Sequence, residues 1–557
     1  MGDEEATDAV AELVAGYGAH ARPVRAVIAA LTDRRWTLAA LIQATATPRR
    51  TVEEVLAALG DDLAEDGLSI RPERREAYRA RFGYDQLRRT ALPDPLLARV
   101  EAATALRAEL TRLAAAAPAS RRALDHVAAT PETAAWRGLW LDASYDLAGA
   151  RLLCVGDHDL TSLAATLVNP DLAVTVVDLD ERILEFIDAE AQRLGLSVRC
   201  LWADLRLVLP VSVAGSADLV FTDPPYTPEG VRLFLARGAE GLRDRERGRL
   251  IMAYGFSDRT PALGLKVQQS VQDLGLACEA VLPAVNRYVG AQAVGSASDV
   301  YVCRPTTRTW KVLDRAIENA VNIYTHGPQS LEGTAPAPDP AAATAVTAAL
   351  GRPATVAVGD AWAVGSRVGL GTLLGKGLPP AATVRGVTAG VVDLSADPGP
   401  WLLRTLLAAN ADRLALLVPN NHPDLASEAG QRDLAELVAA KYTLRFRRST
   451  PGPEHAVVIA EAAPPGGLDA PRRLVRRLLD RAHGRIGNVW REGLTRANQL
   501  TKNEARAAVR AATGRPELLD AALIDMPRDQ LRRILAELAA AAGEPQPARP
   551  PASDDTV

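Results

Sequence analysis

The sequence predicts an α/β protein built around a parallel, Rossmann-like sheet, and three observations carry that reading. The chain has 557 residues, 48% hydrophobic and 24% charged, a composition suited to ordinary globular domains with several cores. From residue 151, short β-branched runs (RLLCVG, LAVTVVDL, VRCLWADL, ADLVFTD, RLIMAYGF, ACEAVLPAV, SDVYVCRP) alternate with helical stretches such as DLTSLAATLVN and ERILEFIDAEAQRLG. Alternation of this kind makes βαβ units and a parallel sheet covered by helices. The last two runs are joined by non-helical chain, which suits a class I methyltransferase-like sheet with ligands at the strands' C-terminal ends.

The flanking segments follow in order. Residues 1–72 read as a winged-helix-like domain: RPVRAVIAALTD, TLAALIQA and TPRRTVEEVLAALGDDL are amphipathic helices, the third opened by Thr and Pro, and LAEDGLSIRP reads as a strand with a turn. Such a module contacts DNA or serves only for docking. Residues 21–100 carry 14 Arg against 11 Asp and Glu, too small a surplus to choose. Residues 73–135 read as a charged helical connector, 136–310 as the catalytic domain and 334–345, TAPAPDPAAATA, as a Pro/Ala linker. Residues 346–465 form a second α/β domain that echoes the first, with VVDLSADPGPWLLR standing where the earlier segment has VFTDPPYTPEGVRLF. GLGTLLGKG misses a phosphate-binding loop, because Leu370 stands where Gly is required and Gly377 replaces Ser or Thr. Residues 470–543 read as a helical region and 544–557 as a disordered tail.

Composition excludes several classes. The 64 Lys and Arg against 68 Asp and Glu give a net charge of −4, which excludes a strongly basic nucleic-acid binder overall. No apolar run reaches the roughly 18 residues of a membrane span. MGDEEATDAVAELV is acidic where a signal peptide is basic, so a cytoplasmic protein is expected. Cys154, Cys200, Cys278 and Cys303 lie far apart in apolar segments and read as buried reduced thiols rather than disulfides or a zinc site. No metal is expected.

The chemistry is read at the strand ends. The first βα turn, Val155-Gly156-Asp157-His158-Asp159-Leu160-Thr161-Ser162, has one glycine for a tight turn but lacks the glycine-rich pattern that approaches a pyrophosphate. Its two carboxylates and imidazole favour a cationic ligand. Asp178, ending the second strand, is suited to a ribose diol, whereas Asp180 equally suits a helix N-cap. Asp204 in WADLR stands where such folds hold an adenine amino group, or is an exposed turn acid.

The sharpest signal is Asp223-Pro224-Pro225-Tyr226 after the fourth strand. A prolyl-proline turn stiffens the backbone and presents acceptors that bind an amine and take its proton as nitrogen attacks an electrophilic carbon. Residues 151–230 hold 13 Asp and Glu against 5 Arg. If Asp157, Asp159, Asp178, Asp204 and Asp223 converge at one rim, their field draws in a polyamine and repels a nucleic-acid backbone.

The strings GDHDLTS, VVDLDERILEFI and FTDPPYTPEGVRLFLARG resemble the branched-chain polyamine synthases, or N4-bis(aminopropyl)spermidine synthases, over roughly residues 22–325. The resemblance implies transfer of aminopropyl groups from decarboxylated S-adenosylmethionine to the secondary amine of spermidine, releasing methylthioadenosine. Gly156, Asp157 and Asp159 match the family's acidic Gly-Asp-Asp-Asp motif, with His158 replacing the middle acid. Tyr226 stands where archaeal members carry Glu. On this reading Gly156, Asp157, Asp178 and Asp204 hold the donor, with Asp157 or Asp159 on its ammonium. Asp159, Asp223, Pro224, Tyr226 and His158 face the acceptor, and Asp159, Asp223 and Tyr226 carry the chemistry. His158 is alternatively an exposed turn residue.

The same DPPY motif serves adenine-N6 and cytosine-N4 nucleic-acid methyltransferases, where Tyr stacks on a flipped base. The alternative is therefore a methyltransferase using ordinary S-adenosylmethionine, with nucleic acid as partner. A third reading is a regulator with an inactive sensor domain. A homodimer is possible on any of them.

Overall fold

The computed structural model describes residues 2–64, 68–89, 96–314, 322–325, 340–359, 362, 366–380, 387–464, 466, 468–498 and 501–543. Leu152, Leu153, Cys154 and Val155 are all buried, because β1 (Arg151–Val155) runs through the middle of a sheet. β2 (Ala173–Asp178) and β4 (Leu219–Thr222) pair with it in parallel on either side. With β3 (Val198–Trp202), β5 (Arg249–Tyr254), β6 (Leu276–Arg287) and β7 (Ala297–Pro305), the order is β3-β2-β1-β4-β5-β7-β6. β7 is antiparallel to both neighbours. This is the class I methyltransferase arrangement expected from the seven apolar runs. Helices Thr161–Val168, Glu181–Leu194 and Pro228–Gly241 pack on β1, β2 and β4.

Helix Pro228–Gly241 starts where Thr227 stops the chain after the two prolines. The Thr227 hydroxyl accepts from Gly230 N at 2.9 Å and donates to Ile323 O at 2.6 Å. The cap and the prolines together hold the end of β4 at the rim.

The chain separates into two units, residues 1–200 with 213–334, and 201–212 with 335–557. In the first unit, helices Arg22–Asp33, Leu38–Thr45 and Arg49–Leu59 enclose Val27, Ile28, Leu31, Leu41, Val52 and Val55. The expected strand and turn after them reduce to single-residue antiparallel bridges, Trp36–Leu68 and Leu63–Ile70. The boundary at residue 72 falls inside this core. Tyr78 and Phe82, four residues apart on helix Arg75–Phe82, face it together, and Tyr78 donates to Asp62 at 2.7 Å.

All four cysteines are free and Cys154, Cys200 and Cys303 are buried, as expected, while Cys278 departs from the expectation. Cys278 and Cys303 are distant in sequence but paired in register across β6 and β7, with Sγ atoms 3.9 Å apart and Cys278 exposed. No described helix is long and apolar enough to cross a membrane.

The second unit carries β8 (Val356–Val358), β9 (Ser366–Val368), β10 (Ala389–Asp393), β11 (Arg413–Pro419), β12 (Tyr442–Arg447) and β13 (His455–Ala462). Read from its other edge, the order is β9-β8-β10-β11-β13-β12, with only β13 antiparallel to its neighbours. That is the first sheet's topology without β3. Gly359 after β8 and Gly156 after β1 share a positive φ, and each donates its N–H to the adjoining strand's end, at Val368 O and Val177 O. GLGTLLGKG forms helix Leu370–Lys376. Residues 340–345 of the expected linker begin helix Pro340–Leu350, while 334–339 and the 544–557 tail lie outside the described residues.

Replacing Thr227 by Ala should lower the unfolding free energy by about 1–2 kcal/mol through loss of the cap. Urea titration followed by far-ultraviolet circular dichroism reads this as an earlier first-unit transition.

Candidate functional site

One arginine that the motif reading passed over organises the rim. Helix Pro131–Ser144 is capped by Thr130, which accepts from Thr133 N, and it buries Thr133 through Leu139. Arg137 sits in the middle of that buried face and is 1% exposed. Its Nη1 donates to Asp159 Oδ2 at 2.8 Å and to Thr161 Oγ1 at 3.1 Å. Nη2 donates to Asp223 Oδ2 at 2.8 Å and to the Tyr288 hydroxyl at 3.1 Å, and Nε donates to Asn286 Oδ1 at 2.9 Å. The Phe221 ring lies 4.9 Å from the guanidinium carbon. A planar fork is the one cationic side chain able to serve so many acceptors at fixed angles.

The two acids it bridges are not equivalent. Asp159 Oδ1 also accepts from Ala129 N at 2.8 Å. Burial works to raise its pKa, but Arg137 outweighs burial and holds Asp159 below the usual carboxylate value. Asp223 accepts from Tyr288 Oη at 2.6 Å and retains 16% side-chain exposure. Burial and the charge of neighbouring Asp159 push its pKa up to about 8. One acid therefore stays ionised and the other holds a proton near neutrality. Tyr288 Oη further pairs with Ser298 Oγ at 2.7 Å, and the Tyr226 hydroxyl donates to it at 3.3 Å.

The remaining rim acids correct the picture of a free carboxylate cluster. Asp157 turns into the helix behind it, accepting from Thr161 N at 2.8 Å and Ser162 N at 3.0 Å. Burial still pushes it up to about 7. Asp157 and Asp159 thus meet a helix terminus and an arginine, where a free ammonium clamp was expected. Asp178 accepts from Asp157 N and Asp180 N, and burial raises it to about 6. Asp180 is the N-cap of helix Glu181–Leu194 and pairs with Arg182 at 2.6 Å.

Asp204 is buried, so it is not an exposed turn acid. It lies in the segment 201–212 that groups with the second unit, and its oxygens accept from Arg206 at 2.5 Å and Trp401 Nε1 at 3.0 Å. His158 is half-buried rather than an exposed turn residue: its ring stacks on His126 at 4.5 Å and its Nε2 meets Ser120 Oγ at 2.8 Å. Burial, then the neighbouring His126, keep His158 below its ordinary pKa. Gly156 has φ +72, and a Cβ there would meet the Phe234 ring at 3.3 Å. Pro224 is buried beside Asp223.

Sequence reading missed Arg137, Asn286, Tyr288 and Ser298. The signal for Arg137 was a lone charge inside the apolar run AAWRGLWL, where burial demands partners. Asn286 and Tyr288 end β6 in VNRYVG and carry no motif.

The N-terminal helices reach the same region. Gln43 Nε2 donates to Tyr288 O at 2.8 Å, and Arg49 Nη1 to Gln292 Oε1 at 3.3 Å. A Cβ on Gly295 would come within 2.6 Å of Ala46 O, so these helices lie flush on the β6–β7 loop.

Residues 106–320 match the family model of the branched-chain polyamine synthase A C-terminal domain. An uncharacterised protein of Methanocaldococcus jannaschii is 35% identical over 203 residues, 36% of this chain and 49% of that protein. The N(4)-bis(aminopropyl)spermidine synthase of the same organism is 28% identical over 199 residues, 35% of this chain and 53% of its own. The chain thus spans about half the length of the curated relatives it matches. A solved mutein of the Thermus thermophilus branched-chain polyamine synthase, in complex with N4-aminopropylspermidine and 5'-methylthioadenosine, is 20% identical with a TM-score of 0.39. That match covers 59% of this chain and 97% of the solved one. The resemblance to the branched-chain polyamine synthase family stands over the matched segment.

Arg137→Met should cost about 3–5 kcal/mol at pH 7.5, because two buried carboxyls lose their counter-ion. Their folded pKa values then exceed the unfolded ones, so the penalty grows as pH rises through the folded values and is small near pH 4. Urea unfolding of the variant and parent across that range reads the difference, and a pH-independent gap would exclude the charge explanation.

Proposed function

We propose that the first unit transfers an aminopropyl group from decarboxylated S-adenosylmethionine to an amine of spermidine or a similar polyamine. The observation that carries it is the Arg137-bridged pair, with Asp223 raised and Asp159 held ionised, at the strand end where the family's motif lies. The neutral acceptor nitrogen attacks the carbon next to the sulfonium. A carbon–nitrogen bond forms, the carbon–sulfur bond breaks, and its electron pair returns to sulfur, leaving neutral methylthioadenosine. The acceptor's proton passes to the Asp223 carboxylate, a stronger base than an ordinary aspartate because burial and Asp159 oppose its charge. Tyr288 and Arg137 both donate to Oδ2 and so hold the carboxyl in place.

Asp178 at the end of β2 suits the donor's ribose diol, and Gly156 leaves the turn beside it without a side chain. The decarboxylated donor is favoured by the poor compensation of the buried acids. Burial raises Asp157 and Asp178 to about 7 and about 6, and a carboxylate-bearing donor adds a further negative charge beside them. Nucleic-acid methylation loses its main structural support, because helices Leu38–Thr45 and Arg49–Leu59 lie against the β6–β7 loop through Gln43, Ala46 and Arg49.

Purified protein given decarboxylated S-adenosylmethionine and spermidine should yield methylthioadenosine and an aminopropylated product by mass spectrometry. Methyl transfer to DNA without such a product would sink the proposal. Asp223→Asn should lower kcat by about 100-fold or more while the donor KM stays within about twofold. The wild-type rate should rise with pH toward about 8 as Asp223 ionises. Tyr288→Phe removes a donor that favours the carboxylate, so it should move this limb to higher pH; a limb set by the amine's own ionisation stays in place.

A further inference from the structure

Tyr254 ends β5, next to the β4 end that carries Asp223. Its ring is lined by other aromatics: Tyr226 edge-on at 5.1 Å, Phe256 stacked at 6.2 Å and Tyr301 at 6.3 Å. The side chain is 1% exposed, yet its hydroxyl has no hydrogen-bond partner among the described residues. A buried hydroxyl left unpaired is costly, and packing alone is satisfied by phenylalanine at no such cost. The other two tyrosines of this rim, Tyr226 and Tyr288, do have partners.

These groups form a continuous lane. Asp223 meets the Tyr288 hydroxyl, Tyr288 meets the Tyr226 hydroxyl, and the Tyr226 ring abuts Tyr254 and then Phe256. A polyamine whose reacting nitrogen lies at Asp223 carries further ammonium groups a few methylenes away. An ammonium needs acceptors for three N–H bonds and is attracted to aromatic faces, whereas its methylene spacers suit apolar ring edges.

Resting on the aminopropyl-transfer reading, we infer that Tyr254, with the rings of Tyr226 and Phe256, is a subsite for the second, non-reacting ammonium group of the acceptor. The phenol oxygen accepts one ammonium N–H, and the rings supply the remainder of the attraction. This subsite makes the site prefer a polycationic acceptor over a monoamine of equal length, a discrimination that the Arg137-bridged acids alone do not provide.

The test is Tyr254→Phe, which keeps the ring and removes only the hydroxyl, with near-ultraviolet circular dichroism confirming retained packing. Calorimetry should show spermidine binding weakened by about tenfold. The spermidine KM should rise by a similar factor, with kcat and donor KM little changed. N-butylpentylamine, in which methyl groups replace spermidine's two terminal amines so that its length and secondary amine are kept, should bind the parent and the variant equally weakly. Unchanged spermidine affinity in the variant, with the parent binding and alkylating spermidine, overturns the subsite and leaves the functional reading intact. A parent that neither binds nor alkylates spermidine overturns both.

Discussion

A single guanidinium ties together the parts of the chain that make the rim. Arg137 reaches from helix Pro131–Ser144 to the turn after β1 at Asp159, the start of the next helix at Thr161, the end of β4 at Asp223 and the end of β6 at Asn286 and Tyr288. Burying such a charge is unfavourable unless every N–H finds an acceptor, and all three guanidinium nitrogens of Arg137 have acceptors. The rim is consequently rigid where chemistry needs it. Because one cation faces two carboxyls, it cannot neutralise both, and burial with the charge of Asp159 raises the pKa of Asp223.

The same economy governs the other acids. Asp157 stabilises a helix N-terminus, Asp180 caps the next helix beside Arg182, and Asp204 is held by Arg206 and Trp401. A rim rich in aspartate is thus far less negative than its composition suggests. Attraction of a polycation then depends on placement more than on bulk charge. The aromatic lane from Tyr226 to Phe256 and the single raised acid at its head are positional devices, and they discriminate by where nitrogens fall along a flexible chain.

The N-terminal helices serve the same end. Three short helices with a minimal wing would suit DNA on their own, but Gln43 and Arg49 spend their polar groups on the β6–β7 loop that delivers Tyr288. The second unit shows the fold separated from this constellation. Its sheet repeats the first unit's strand order without β3, yet the acid its register sets in the place of Asp223, Asp393, accepts from Ser395 N at 2.9 Å, and Asp397 beyond it accepts from Trp401 N and Leu402 N and pairs with His422 at 3.0 Å.

Periodicity along the chain determined the strands, the turn at Gly156 and the stiff corner at Asp223-Pro224-Pro225-Tyr226, because each rests on contacts between near neighbours or on backbone stereochemistry. The setting of Asp157, Asp159 and Asp204 was not legible in the same way, because a carboxylate's partners are invisible until the chain folds. Arg137 is 22 residues from Asp159, 86 from Asp223 and 151 from Tyr288, separations over which no local pattern survives. Only the tertiary structure could decide which acids are neutralised, because electrostatic pairing depends on distance in space and on burial, and both are set by packing.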